Sequence, residues 1–279
     1  MTQEPLSSLS IITLTYKDPK GLKSTLESIQ ALKNHFSDFE NIIVDSSPEL
    51  NEEVLKDFKK QNWPIIHVVT PPKGVFNAMN IALGQFTKDY VWFLNGGDRL
   101  ASIDCLVRIF KKLSQDPSID YFYAGANMYK NGKYLYPLQP SPVFIRNLLG
   151  FNHICHQAVL YKRTKLLEVG PFESRFWIAA DYDHHYRFYL AQSKFACLQE
   201  ILVDYDMSGQ SMDPKPAFVD FKLIQKEHSK KLPLWVNTCN PILSFYHEKR
   251  VRLLKTLSHS KIKPILHPIW LLWNRLKNK

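Results

Sequence analysis

Two aspartates stand in settings where a carboxylate could do chemistry. Asp98 follows the run Val91-Trp92-Phe93-Leu94 and the turn Asn95-Gly96-Gly97. Four bulky apolar residues in a row read as a strand buried on both faces. The Asn-Gly-Gly composition lets the backbone turn sharply and approach a ligand. A carboxylate at that point can hold a divalent cation through oxygen, or it can cap the helix that follows. Asp181 lies in Ala179-Ala180-Asp181-Tyr182-Asp183, ahead of Tyr182, Tyr186 and Tyr189 at helical spacing. A carboxylate entering a helix is favoured as the anion by the helix dipole. Such a group can take a proton as a general base, or serve only as a cap. Asp183, two residues on, points away from Asp181 on a helix, which favours one active carboxylate over a pair.

Other polar residues fall at strand ends. Asp45 follows Asn41–Val44 and could accept a hydrogen bond from a base or a ribose. Lys73 and Gly74 precede a helix whose free amides could receive a phosphate, with Lys73 adding charge. His153 and His156 stand three apart with no third ligand at helical spacing. A hydrogen-bonding place on the wall of a cleft, shared with Gln157, or a satisfied core position therefore suits them better than a metal.

The elements that must position these groups alternate in type. Leu9–Tyr16, Asn41–Val44, Ile65–Val69 and Tyr90–Leu94 read as strands. Between them come Leu22, Leu26, Ile29 and Leu32 at helical spacing, a charged helix over 49–60, and a helix over Val75–Leu83. Strands alternating with helices predict an α/β fold: a mostly parallel, Rossmann-like sheet with right-handed crossovers. Ligands collect at the carboxyl ends of such strands, so Thr15, Asp45, Lys73, Gly74 and Asp98 are expected along one edge. Neither G-x-G-x-x-G nor G-x-x-x-x-G-K-[ST] occurs, which argues against NAD or ATP held in the usual manner. Beyond Leu100, a helix over 103–113, a strand over Tyr121–Ala126 and a hairpin turn at Asn131-Gly132 predict added antiparallel strands.

Composition narrows the function classes. With 45% hydrophobic and 22% charged residues, the 279-residue chain has the balance of a soluble globular protein. Four widely spaced cysteines without a C-x-x-C pair argue against a zinc site or a disulfide framework and fit a reducing compartment. No signal peptide and no run long enough to span a membrane is visible. The net charge of +10 is concentrated in residues 221–279, which hold 13 Lys/Arg against 2 Asp/Glu. That split predicts a boundary near residue 220, with a main body over 1–220 and a basic helical extension over 221–279. It also speaks against a nucleic-acid groove across the body. Two helices in the extension, over 243–257 and from Pro268 onward, mix apolar residues with cations. Trp270 and Trp273 lie on one face of the second, with Arg275, Lys277 and Lys279 near its end. This pattern suits an anionic membrane surface, and equally a helix packed on the body or in an oligomer interface.

The motifs in order resemble the inverting glycosyltransferases of family 2, with the A-type nucleotide-sugar fold, especially bacterial polysaccharide-assembly members. Ser10–Tyr16 resembles their opening strand, Ile42–Ser46 their second, and Gly74–Asn80 their phosphate-side helix. Trp92–Leu100 takes the place of the metal-binding D-x-D. His156-Gln157 with Gly170-Pro171-Phe172 resembles the acceptor-side segment, and Ala180–Asp183 the E-D-x-D element. The resemblance implies that Thr15, Tyr16 and Asp45 hold the base of a nucleoside diphosphate sugar, with Lys73, Gly74 and Asn77 near its ribose and phosphates. It implies Mg²⁺ or Mn²⁺ at Asp98, His156 and Gln157 on the acceptor side, and Asp181 as the base that takes a proton from an acceptor hydroxyl. The implied acceptor is a glycan or a lipid-linked glycan, reached at the inner face of the cytoplasmic membrane.

The sequence departs from that pattern. Asn95 or Gly96 stands where the first Asp of D-x-D belongs, Ala180 where the Glu belongs, and Leu14 where a proline usually precedes Thr15. Met207–Ser211 resembles a loop that closes over the donor, with Gly209 as its hinge, or is a plain linker. A catalytically inactive nucleotide-sugar binding module and a membrane-bound scaffold are the rival functions. A sugar nucleotidyltransferase would carry a Gly-rich basic loop after the first strand, and none is present.

Overall fold

The structure is a computed structural model that describes residues 8–150, 152–208, 214–243, 245 and 249. Gly209–Ser211 and the helices expected within 250–279 lie outside the described residues. The chain divides into two compact units, one of 1–148 with 152–231 and one of 149–151 with 232–279.

The first unit carries one nine-stranded sheet. Strands β1 (Leu9–Thr15), β2 (Phe39–Asp45), β3 (Ile65–Val69) and β4 (Tyr90–Phe93) run parallel in the spatial order β3-β2-β1-β4. The helices between them are α1 (Pro19–Ser28), α2 (Pro48–Lys60) and α3 (Val75–Ala82). Each forms for a local reason. Asp18 caps α1 by accepting from the Gly21 N–H, and prolines open α1 and α2, where no amide donor is needed. The expected parallel α/β sheet is therefore present, with its polar strand ends on one edge. Every residue of β1 is buried, as continuous apolar runs in parallel strands require.

The second half of the sheet is mixed. β5 (Arg99–Leu100) leads to α4 (Ile103–Gln115), and β6 (Tyr121–Lys130) turns through Asn131-Gly132 into β7 (Lys133–Leu138). Asn131 and Gly132 both take positive φ (50° and 72°), as the hairpin signal requires. β8 (Val159–Lys162) inserts antiparallel between β4 and β6. β9 (Phe195–Asp206) runs parallel to β6 and antiparallel to β5. Two helices flank β9 in the chain, α6 (Ala180–Leu190) before it and α7 (Pro214–His228) after it, while α5 (Arg163–Val169) follows β8. α7 lies across residue 220, where the charge balance changes, and belongs to the first unit.

Two kinds of core result. One joins Leu22, Leu26, Leu55, Phe58, Ile109 and Phe110 to β1, β2 and β4, and is chiefly aliphatic. The other is aromatic: Tyr121 touches the rings of Tyr161, Phe188, His185 and Phe144 at centroid distances of 5.1–5.8 Å. In the second unit the chain is helical over 234–243, and Asn240 accepts from the Gly150 N–H at 2.9 Å. Leu234, Trp235, Ile242 and Leu243 there are exposed. No helix among the described residues is long and apolar enough to cross a membrane.

Candidate active site

The carboxyl ends of β1 and β2 meet in register, Thr15 opposite Asp45. Thr15 is buried and its Oγ1 has no hydrogen-bond partner. Tyr16 is 47% exposed, with the Lys17 ammonium 5.1 Å from its ring centre. Asp45 is fully buried. Its Oδ1 accepts from the Ser47 N–H and the Asn51 amide, both at 2.8 Å, and Oδ2 lies 3.1 Å from His67 Nε2. The Asp45 carboxylate is thus held by its neighbours, and the His67 ring beside it is part-exposed. Beyond β3, Lys73 and Gly74 are exposed. Gly74 caps α3 at φ 98°, a left-handed conformation that L side chains resist. No side chain covers that helix end from the cap position, and Asn77 stands in its first turn.

The Asp98 loop is pinned from beneath. The Thr25 hydroxyl of α1, fully buried, donates to the Asp98 carbonyl at 2.7 Å and accepts from the Gly97 N–H at 3.0 Å. The Gly96 N–H donates to the Leu14 carbonyl, which joins the loop to β1. Asp98 is 4% exposed, and its Oδ1 accepts from the Asp206 N–H at 2.9 Å. Burial holds its carboxyl well above the ordinary range and the Asp206 carboxylate adds to this, while the hydrogen bond from the Asp206 N–H opposes them.

Asp181 occupies the first turn of α6. The helix lacks a capping side chain of its own, but Asp220 from α7 accepts from the Ile178 and Ala179 N–H groups at 3.0 and 3.3 Å. Asp181 Oδ2 accepts from the Asn152 amide at 3.0 Å, and the Asn152 Oδ1 in turn accepts from the Ile154 N–H at 3.0 Å. The second bond fixes which way the amide faces. Burial raises the Asp181 carboxyl to about 6, against the pull of these hydrogen bonds. A base poised there is ionised at neutral pH yet still basic enough to take a proton. Asp183 points elsewhere. It pairs with Arg187 at 2.8 Å and faces His228 Nε2 at 2.8 Å, and Arg187 reaches the Val169 and Pro171 carbonyls.

One buried thiol relates the two carboxylates. Cys155 lies within electrostatic range of both Asp98 and Asp181, and both raise its pKa after burial itself. Beside it, Gln157 accepts from the Trp92 indole through its carbonyl at 2.6 Å, which ties this wall to β4. His156 packs against Phe93, Phe172 and Tyr161 at 5.2–5.8 Å, and its Nδ1 lies 3.0 Å from the Tyr161 hydroxyl. Burial lowers its pKa to about 3, so it is neutral, and its Nε2 has no partner among the described residues. Asn80 of α3 brackets Phe172 with two 2.8 Å bonds, joining the phosphate-side helix to this wall.

The donor set at Asp98 fits a hard divalent cation. Asp98 and Asp206 offer carboxylate oxygens, and a Cβ added at Gly97 would lie 3.8 Å from Oδ2 of both Asp206 and Asp18. The glycine thus leaves a recess edged by carboxylate oxygen. Among the described residues no group of three or more His, Cys, Asp and Glu side chains is arranged around an ion, so further ligands have to come from a bound molecule or water. Thr25, Asn152, His67 and Asp206 escaped the sequence motifs. A Thr in an amphipathic helix and an Asp ending an unrecognised strand give no local signal.

The first unit thus combines an α/β sheet with a polar carboxyl edge, a carboxylate loop after β4 and a buried acid opening α6. The chain belongs to glycosyl transferase family 2, whose model matches residues 10–189. Among its relatives is an uncharacterized glycosyltransferase of Mycobacterium tuberculosis, 24% identical over 238 residues, covering 82% of this chain and 87% of that protein. Another is a PGL/p-HBAD biosynthesis glycosyltransferase of Mycobacterium bovis, 26% identical over 230 residues, covering 81% and 84%. The fold matches that of residues 1–349 of S. aureus TarS in complex with UDP, with TM-score 0.59 and 18% identity. That match covers 79% of this chain and 65% of the TarS chain, so this chain spans just under two thirds of its length.

Proposed function

We propose that this chain is an inverting glycosyltransferase that moves a sugar from a nucleoside diphosphate sugar, a UDP-sugar, to a hydroxyl of a glycan or lipid-linked glycan in surface polysaccharide synthesis. The observation that carries the proposal is the buried carboxylate of Asp181, held by Asn152 at the head of α6, in a family 2 chain whose sheet has a polar carboxyl edge at Thr15 and Asp45 and an open helix end at Gly74. The base would lie over Thr15 and Tyr16, beside the His67–Asp45 cluster, with Lys73, Gly74 and Asn77 near the ribose and phosphates. The TarS complexes with UDP and UDP-GlcNAc support the choice of donor class, and the PGL/p-HBAD biosynthesis name of the mycobacterial relative supports a biosynthetic role.

In the reaction, Asp181 takes the proton of the acceptor hydroxyl as its oxygen attacks the anomeric carbon. The bond from that carbon to the diphosphate breaks on the opposite face, so the configuration inverts and no enzyme nucleophile is used. Asn152 holds the base carboxylate in place, and His156 and Gln157 shape the acceptor side. Mg²⁺ or Mn²⁺ held by Asp98 would supply positive charge to the departing diphosphate.

Incubation with a panel of nucleotide sugars and Mn²⁺ tests this by following UDP release. Slow release from one UDP-sugar, accelerated by an acceptor, is the expected result. Tight UDP binding with no release from any donor would make the chain an inactive binding module. Thermal stability unchanged by UDP with Mn²⁺ would remove both nucleotide readings.

We further propose that residues 243–279 hold the enzyme at an anionic membrane surface on the cytoplasmic side. The concentration of Lys and Arg after residue 220 supports this, as does the exposure of Leu234, Trp235, Ile242 and Leu243 just ahead of it. Deletion of residues 262–279 should weaken binding to anionic vesicles while the fold persists. Unchanged binding would refute the membrane role.

A further inference from the structure

We propose that Asp206, the last residue of β9, is the second protein carboxylate on the divalent cation and replaces the acid that the Asn95-Gly96-Gly97-Asp98 loop lacks. The inference rests on the cation-assisted reading of the site given above. It starts from topology. β5 and β9 are antiparallel with Arg99 opposite Asp204, and continuing that register brings Asp206 beside Gly97. Two observations agree with this placement. The Asp206 N–H donates to Asp98 Oδ1 at 2.9 Å, and a Cβ on Gly97 would lie 3.8 Å from Asp206 Oδ2.

The two oxygens of Asp206 are not equivalent. Oδ1 accepts from the Ser208 N–H at 2.9 Å and the Ser208 hydroxyl at 2.6 Å. Those bonds fix the carboxylate and leave Oδ2 turned toward the recess at Gly97. Asp18 stands at the same recess from the other side, its Oδ1 committed to the Gly21 N–H at 2.8 Å and its Oδ2 also 3.8 Å from the missing Cβ. Neither Asp98 nor Asp206 has an ion pair with a described Lys, Arg or His. Two close carboxylates, one of them buried, repel each other unless a proton or a cation stands between them, and a cation displaces the proton. Oxygen donors of this kind select Mg²⁺ or Mn²⁺, which take one or two carboxylates and complete their shell with phosphate oxygens and water. A glycine at position 97 keeps the space that such an ion needs.

The test titrates Mn²⁺ into the full chain with saturating UDP and reads free Mn²⁺ by electron paramagnetic resonance, for wild type, D98N and D206N. UDP affinity in EDTA and the melting temperature are measured in parallel. The expected result is that D206N and D98N each weaken Mn²⁺ binding tenfold or more, with metal-free UDP binding and folding retained. Wild-type Mn²⁺ affinity in D206N alongside its loss in D98N would overturn the assignment of Asp206 alone. A wild-type chain that binds UDP but no Mn²⁺ overturns it together with cation assistance, and leaves nucleotide binding standing. Should D206N fail to fold, Asp206→Glu keeps the charge and enters the same titration. A threefold or larger change in Mn²⁺ affinity then supports the assignment, and an unchanged value overturns it.

Discussion

The half of the sheet that carries β1 to β4 and the half that carries Asp181 are built by different means. From β1 to β4 the chain repeats strand, helix and strand, and its core is aliphatic. The candidate ligand groups there sit at strand ends, where local turn chemistry places them, while Ser10, Thr13 and Asn41 are buried within β1 and β2. From β6 onward that core cluster continues and an aromatic one around Tyr121 is added, with the buried histidines His156, His184 and His185 all held neutral by burial. Its buried acid, Asp181, is positioned by partners distant in sequence, Asn152 and Asp220. The comparison teaches that a regular scaffold can supply the ligand edge. A base of tuned pKa needs an irregular, dry environment that long-range contacts assemble.

The largest expected effect comes from breaking the irregular half. Asp181→Asn should lower kcat by about 10³–10⁴, at the upper end of what a general base contributes, while UDP affinity in a titration stays unchanged. An equal loss of UDP affinity would place Asp181 in the donor pocket instead. On the regular side, Asp98→Asn should cost about 10²–10³ in kcat and abolish stimulation by Mn²⁺. Persistent stimulation would separate Asp98 from the cation. Thr25→Val removes the hydroxyl beneath the Gly97 and Asp98 loop without touching the cleft. About a tenfold loss of kcat/KM is expected, with about 1–2 kcal/mol of stability lost in denaturant unfolding.

Two subtler experiments sharpen the contrast through pH. The hydrogen bond from Asn152 favours the ionised form of Asp181, so Asn152→Ala should raise its pKa. The acid limb of the kcat profile, expected near pH 6, then moves upward; a limb that stays in place would detach Asn152 from the base. The same shift makes a stability statement. The folded carboxyl titrates at about 6 and the unfolded one near 3.8. Its stabilising contribution is therefore full below about pH 4 and is lost as pH rises through 6. Asp181→Asn should be more stable than wild type at pH 8, by on the order of 3 kcal/mol, and converge with it near pH 4.

Legibility in the sequence follows the same divide. The parallel strands, their helices and the hairpin at Asn131-Gly132 announce themselves by apolar runs, helical spacing and turn residues. Thr15, Asp45, Lys73 and Gly74 were placed by that logic on one edge. β9 was missed, although it is the longest strand described, because Phe195–Asp206 lacks clean alternation and slips register against β6 at Ala124–Ala126. With it went Asp206. β8 was hidden in the apolar stretch 151–161, and β6 extends to Lys130, past the Ala126 expected, because pairing with β7 and β9 sustains it. Asp45 was read as a ligand contact from its place at a strand end. Nothing local shows that Ser47, Asn51 and His67 enclose its carboxylate.

A crystal structure with UDP and Mn²⁺, with anomalous diffraction to locate the metal, tests the central claim most directly. The account predicts the nucleotide along the ends of β1–β4, the anomalous peak at Asp98, and Asp181 facing the open side of the β-phosphate. Nucleotide bound elsewhere on the molecule, or a diphosphate turned away from Asp181, would contradict it.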